Sequence, residues 1–174
     1  MNIKGEIEIL KDPMAVAERA AEIIAEDMKC GAVPFRLVLS GGSTPRETYK
    51  LLASRRDLPW SCVELFFGDE RFVPPQDQDS NYRMVRETLL AQGAGPRGLF
   101  AIPTGGTPEQ AADAYEEILR QQYGASMLEL GVPLFDLVLL GLGEDGHTAS
   151  LLPDQPVLKQ RSRWVAAVPQ GRDQ

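Results

Sequence analysis

Three short, largely apolar runs lead directly into glycine-containing turns. They are Phe35-Arg36-Leu37-Val38-Leu39 before Ser40-Gly41-Gly42, Val63-Glu64-Leu65-Phe66-Phe67 before Gly68, and Phe135-Asp136-Leu137-Val138-Leu139-Leu140 before Gly141. Runs of this length, rich in Val, Leu and Phe and bounded by turn residues, read as strands; a helix needs roughly ten residues or more. Helix signals lie between them. In residues 15–28, Val16, Ala20, Ile23, Ile24 and Asp27 fall at roughly helical spacing, Asp12-Pro13 supplies a cap and a first-turn proline, and Gly31 a stop. Residues 45–54 have helical composition, with Thr44 as the expected N-cap and Glu47 completing a capping box. Helical stretches follow near residues 81–90 and over 108–123, with short strands expected at 7–10 (an edge strand), 99–102 and 163–168.

This alternation implies an open three-layer α/β fold: a mostly parallel sheet with helices on both faces. Because Asp136 is the only charge in 135–140, that strand is expected to be buried under helices on both sides. The 174 residues show no internal boundary, low-complexity tract or repeat, so residues 1–174 are expected to form one domain. If the strand at 163–168 is the last, with only Pro169-Gln170-Gly171-Arg172-Asp173-Gln174 after it, apolar area or a sheet edge stays uncovered. Either a second copy covers it, in a homodimer, or the layer is incomplete.

A formal net charge of −7 disfavours non-specific attraction to nucleic acid or anionic membranes, although a local basic pocket can still hold a small anion. Cys30 and Cys62 are too few and too far apart for a metal knuckle or a disulfide scaffold, and read as free thiols. No leader opens the chain and no apolar stretch approaches the about 18 residues of a membrane span, so the expected compartment is the cytoplasm.

His147 is the only histidine. It lies in the Gly-rich turn Gly141-Leu142-Gly143-Glu144-Asp145-Gly146-His147 after the third strand, where open α/β sheets place their chemistry. Neutral imidazole can take a proton from water. Asp145, two residues away, is placed to orient the imidazole or interact with substrate, or simply to cap the turn. The loop at 40–44 offers N–H groups at Gly41 and Gly42, the hydroxyls of Ser43 and Thr44, and the start of a helix, all suited to a phosphate; its glycines can also be plain turn residues. Asp69-Glu70-Arg71 follows the second strand, where a carboxylate can orient sugar hydroxyls or water and a guanidinium can stabilise an oxyanion, or the three can form a solvated cluster. Asn81 is placed to close over a ligand.

Other classes lack their residues. There is no Gly-Lys-Ser/Thr of a nucleotide P-loop and no Gly-x-Ser-x-Gly elbow, and a single histidine without a cysteine cluster argues against zinc. The spacing of Gly141, Gly143 and Gly146 matches part of a dinucleotide fingerprint, but lies too late in the chain to weigh as nicotinamide binding. Phe66, Phe67, Phe72 and Met84 read as packing residues, and Arg83 with Arg86 as a solvated helix face.

Taken in order, Leu39-Ser40-Gly41-Gly42-Ser43-Thr44-Pro45, Phe67-Gly68-Asp69-Glu70-Arg71, Asp79-Ser80-Asn81-Tyr82 and the run from Gly141 through Leu152 resemble the 6-phosphogluconolactonase family. That family lies within the larger group that includes glucosamine-6-phosphate isomerase/deaminase. The resemblance implies a Rossmann-like sheet and hydrolysis of 6-phospho-D-glucono-1,5-lactone in the oxidative pentose phosphate pathway, with no organic cofactor and no metal. It implies His147 as general base, Arg71 at the lactone end, and the 40–44 loop with Gly41, Gly42, Ser43 and Thr44 receiving the phosphate. Asn81 is expected to bind substrate, and Asp69 and Asp145 to orient it or assist. The isomerase/deaminase alternative carries a glutamate where this chain has Leu152, and Thr148-Ala149-Ser150 also looks lactonase-like. Lactonases usually continue past the equivalent of Val168 with further strands, a helix and basic residues that help hold phosphate, so a C-terminally shortened form is expected.

Overall fold

The computed structural model describes residues 5–168. Helix α1 (Pro13–Cys30) starts where Asp12 accepts a hydrogen bond from the Ala15 N–H at 2.8 Å, with Pro13 in the first turn. Strand β1 (Phe35–Leu39) leads to α2 (Ser43–Ser54), and β2 (Val63–Phe67) to α3 (Asn81–Thr88). Strand β3 (Gly98–Phe100) is followed by α4 (Pro108–Tyr123), which opens on a capping box between Thr107 and Gln110, and then by β4 (Leu137–Val138).

The four strands are parallel in the order β3-β2-β1-β4. Strand alternation divides their side chains between two cores. Leu37, Leu39, Leu65 and Phe67 meet Ile24 and Met28 of α1, Tyr49 and Leu52 of α2, and Met84 and Val85 of α3. Val38 and Phe66 point the other way and pack with Tyr115 and Leu119 of α4, where Phe66 also stacks on Phe100 at 4.7 Å. This is the expected three-layer arrangement.

The strand order also creates a crevice. From β1 the chain moves outward to β2 and β3, and α4 then returns it to the opposite side of β1 as β4. The loops leaving β1 and β4 therefore diverge from adjacent strand ends, which is where doubly wound sheets bind ligands.

Several expectations are corrected. Residues 7–10 form no strand: Ile7 and Ile9 are about nine-tenths exposed, and no strand pairs with them. Residues 163–168 form no strand either, because they lie over α4. There Arg163 pairs with Glu116 at 3.0 Å and with Asp113, and Trp164 meets Tyr123 edge-on. The strand expected at 99–102 is Gly98–Phe100, and α3 ends at Thr88 before a short 3₁₀ turn at Leu90–Gln92. The run at 135–140 contributes only a two-residue strand and is not buried on both faces; Val138 and Leu140 are 44% and 63% exposed. As the outermost strand it has one neighbour, β1, and no helix covers those two side chains among the described residues.

The start of α2 also differs. Gly42, at φ 114°, turns the chain into the helix two residues early, so Thr44 is inside the first turn and no side chain caps it. Glu47 pairs with Lys50 instead of completing a capping box. Phe66, Phe67 and Met84 are core residues as expected, but Phe72 is 44% exposed on the loop after Arg71. Cys30 and Cys62 are free.

Candidate active site

An open cleft of about 290 Å³ lies at the carboxyl ends of β1, β2 and β4. Ser40, Gly41, Gly42, Ser43 and Thr44 form one wall, Asp69, Arg71 and Asn81 a second, and Gly141, Gly143 and His147 the third. Asp145 touches the cleft through His147 and not directly.

Because α2 begins at Ser43, the N–H groups of Ser43 and Thr44 have no intrahelical acceptor. The residue at the third helical position is Pro45, which has no N–H to leave unpaired. Thr44, relieved of the capping role, lines the cleft. The wall is braced from behind by Tyr49, whose buried hydroxyl accepts from the Ser40 N–H at 2.9 Å and donates to the Ser40 carbonyl at 2.8 Å. Burial, the largest influence, pushes this phenol well above its ordinary range, so it stays protonated and can donate.

The Asp69-Glu70-Arg71 cluster is divided by geometry. Glu70 faces α3, accepting from the N–H groups of Asn81 (2.7 Å) and Tyr82 (2.8 Å) and from the Ser80 hydroxyl (3.2 Å). A carboxylate there meets the positive end of the helix dipole. Turning Glu70 outward leaves Asp69 and Arg71 in the cleft wall. The Arg71 guanidinium has no hydrogen bond or ion pair among the described residues. Asn81 is 7% exposed; its amide donates to the Asp69 carbonyl at 3.0 Å, and its Oδ1 would lie only 2.2 Å from a Cβ at position 41. Glycine at 41 is thus required by close approach. In this geometry Asn81 lines the cleft wall next to Gly41.

His147 is held by its own turn. The Gly143 N–H donates to the His147 carbonyl at 2.8 Å, and the Gly146 N–H, with Gly146 at φ 82°, donates to the Gly143 carbonyl at 2.9 Å. Imidazole Nδ1 lies 2.5 Å from Asp145 Oδ1, and the same oxygen accepts from the His147 N–H at 3.3 Å. Asp145 therefore both meets the ring and closes the turn. A carboxylate only accepts, which puts the ring proton on Nδ1 in the neutral form.

Sequence reasoning named neither Tyr49 nor Ser150 as site residues. Ser150 donates to Asp69 Oδ2 at 2.6 Å, across 81 positions of chain. Tyr115 of α4 repeats the Tyr49 arrangement at the end of β2, with its hydroxyl bonded to both backbone groups of Phe67 at 3.0 Å. Nothing in local composition marks a helix tyrosine for such a task. Arg83, by contrast, pairs with Glu87 at 2.7 Å and Arg86 lies over the Tyr82 ring, as a surface pair would. Among the described residues no His/Cys/Asp/Glu group is arranged to hold a metal, and no helix is long and apolar enough to cross a membrane.

Residues 11–174 match the family model described as glucosamine-6-phosphate isomerases/6-phosphogluconolactonase. The chain is 36% identical to a 6-phosphogluconolactonase from Nostoc over 168 residues, covering 94% of this chain and 69% of that one. A Synechocystis 6-phosphogluconolactonase is 45% identical over 132 residues, covering 74% and 53%. The solved 6-phosphogluconolactonase of Trypanosoma cruzi superposes with a TM-score of 0.80 at 31% identity, covering 94% of this chain and 68% of the other. This chain belongs to the 6-phosphogluconolactonase family. It spans between about half and about seven-tenths of the length of these relatives.

Proposed function

We propose that this chain is a single α/β unit that hydrolyses 6-phospho-D-glucono-1,5-lactone to 6-phospho-D-gluconate. The observation that carries the reading is the imidazole of His147, held at Nδ1 by Asp145 and lining the same cleft as Arg71 and the first turn of α2. The phosphate is received by the N–H groups and hydroxyls of Ser43 and Thr44, with the approach kept open by Gly41 and Gly42. Fixing this remote group provides binding energy that holds the reacting carbonyl at the other wall.

Water adds to the lactone carbonyl carbon as Nε2 of His147 removes its proton. The carbonyl electron pair moves to oxygen, where the guanidinium of Arg71 stabilises it. When the carbonyl re-forms, the bond to the ring oxygen breaks and the imidazolium returns the proton to that oxygen. Asp145 keeps the ring in the tautomer both transfers need, and Asp69 and Asn81 orient the substrate's hydroxyls. The new carboxylic acid then loses a proton to solvent. We propose the cytoplasm as its compartment, which cell fractionation checks.

Freshly prepared lactone with titration of the released acid is the direct assay, read against the spontaneous rate in buffer. General acid–base catalysis contributes about 10²–10⁴-fold. His147→Ala is accordingly expected to lower kcat at least 100-fold while leaving the fold intact by circular dichroism. Hydrolysis by the unaltered chain no faster than buffer rejects the proposal, and full activity in His147→Ala removes this imidazole from the mechanism.

A further inference from the structure

The imidazole and the anion-type wall sit on loops that leave different strands, so their separation is not set by either loop alone. The side chains between them make a continuous path. Ser150 Oγ donates to Asp69 Oδ2 at 2.6 Å, in the short range of charge-assisted hydrogen bonds. The other Asp69 oxygen faces the Asn81 amide at 3.5 Å, and that amide also donates to the Asp69 carbonyl at 3.0 Å. Asn81 in turn places its Oδ1 in the space that a Cβ at Gly41 would occupy. The path thus runs from the His147 loop through Ser150, Asp69 and Asn81 to the start of the 40–44 loop.

The backbone around Ser150 is shaped for this contact. The Leu151 N–H donates to the Thr148 carbonyl at 2.9 Å, closing a turn in which Ala149 adopts φ 49°. A non-glycine residue in the left-handed region is uncommon and is retained where surrounding contacts hold it. Ser150 follows directly and is half-buried.

We infer that Ser150 is a positioning residue: through Asp69 it sets the separation between the His147 imidazole and the anion-type loop. The inference rests on the lactonase reading for its kinetic consequences. The His147–Asp145 pair and the 143–147 turn are closed by bonds of their own and do not need Ser150. Losing the hydroxyl therefore leaves the catalytic pair assembled but out of register with a substrate of fixed length. Small displacements of this kind cost up to about 10²-fold in rate.

The test compares the full chain with Ser150→Ala, Ser150→Thr, Asp69→Ala and the double variant Ser150→Ala/Asp69→Ala. Ser150→Ala is expected to lower kcat about tenfold or more, to change KM less than threefold, and to keep the single histidine ring signal in proton NMR at its original position. Ser150→Thr, which keeps the hydroxyl, restores at least half of the lost rate. The double variant is no slower than Asp69→Ala alone, as required when two groups act as one contact. Unchanged kcat in Ser150→Ala, additive losses in the double variant, or equal losses in Ala and Thr overturn the inference. A backbone-amide NMR comparison separates this result from failure of the lactonase reading. If the unaltered chain shows only the buffer rate, Ser150→Ala must still shift the amide signals of Asp69, Asn81 and Gly41 together. Shifts confined to residues 149–151 refute the path whatever the activity.

Discussion

At the scale of single residues, the site depends on two glycines as much as on its ionisable groups. A Cβ at position 143 would lie 2.1 Å from Cε1 and 2.2 Å from Nδ1 of His147, and 2.9 Å from Asp145 Oδ1. Such distances cannot be accommodated, so the ring or the turn must move. Gly143→Ala is expected to displace the imidazole and lower kcat by about 10²-fold, as misplacement of a reacting group does. Its melting temperature should fall by only a few degrees, because the turn lies outside both cores; a kinetic profile with the loss mainly in KM would contradict this account. Gly41 makes the corresponding demand on the opposite wall, against Asn81. The three adjacent charges of Asp69-Glu70-Arg71 looked equivalent in sequence, and only the position of the α3 N-terminus separates Glu70, which caps a helix, from the two that line the cleft.

At the scale of elements, the two central strands end in the same way. Ser40 after β1 and Phe67 at the end of β2 each satisfy both backbone groups with one tyrosine hydroxyl, from α2 on one face and α4 on the other. Burial raises the pKa of both phenols above the ordinary range. Each stays a neutral donor and acceptor past the pH at which an unfolded tyrosine ionises, and from that pH upward the stabilisation declines, because the unfolded chain loses protons that the folded one keeps. Tyr49→Phe leaves the Ser40 N–H and carbonyl without these partners, and an unsatisfied buried group costs about 1–3 kcal/mol. A chain of this size loses about 2–4 °C in melting temperature per kcal/mol. The expected result is a lower melting temperature with the same secondary structure content, and a variant as stable as the original would show that the hydroxyl is not needed. Helices α1 and α4 were legible in sequence because Asp12-Pro13 and Thr107-Pro108 cap and start them locally. The start of α2 was not, because the positive φ of Gly42 overrides the capping preference of Thr44.

At the scale of the molecule, burial falls away across the sheet. Strands β1 and β2 lie between helices and are almost wholly buried, whereas β4 has a single neighbour and an exposed face. Local opening free energies follow burial and contact density. Hydrogen exchange is therefore expected to be slowest for the amides of Leu37, Val38 and Phe66 and faster by at least tenfold for Leu139, whose N–H bonds to the Val38 carbonyl at the sheet edge. Equal protection across the four strands would show that another surface covers β4 in solution. The His147 loop leaves the sheet from this less protected side, which gives its tie to Asp69 mechanical importance.

The alternation of apolar runs, glycine turns and helical stretches determined the order of the four strands and four helices between residues 13 and 138, the parallel α/β class and the four segments that make the cleft. Each of those properties is local: a period, a cap or a turn is legible within a dozen residues. Only the tertiary structure decided that Glu70 turns away from the cleft, that residues 163–168 lie over α4 without joining the sheet, and that Ser150 reaches Asp69. Those outcomes depend on which strands become neighbours and which helix ends meet their loops, and side chains 81 positions apart carry no local signal of the contact they will make.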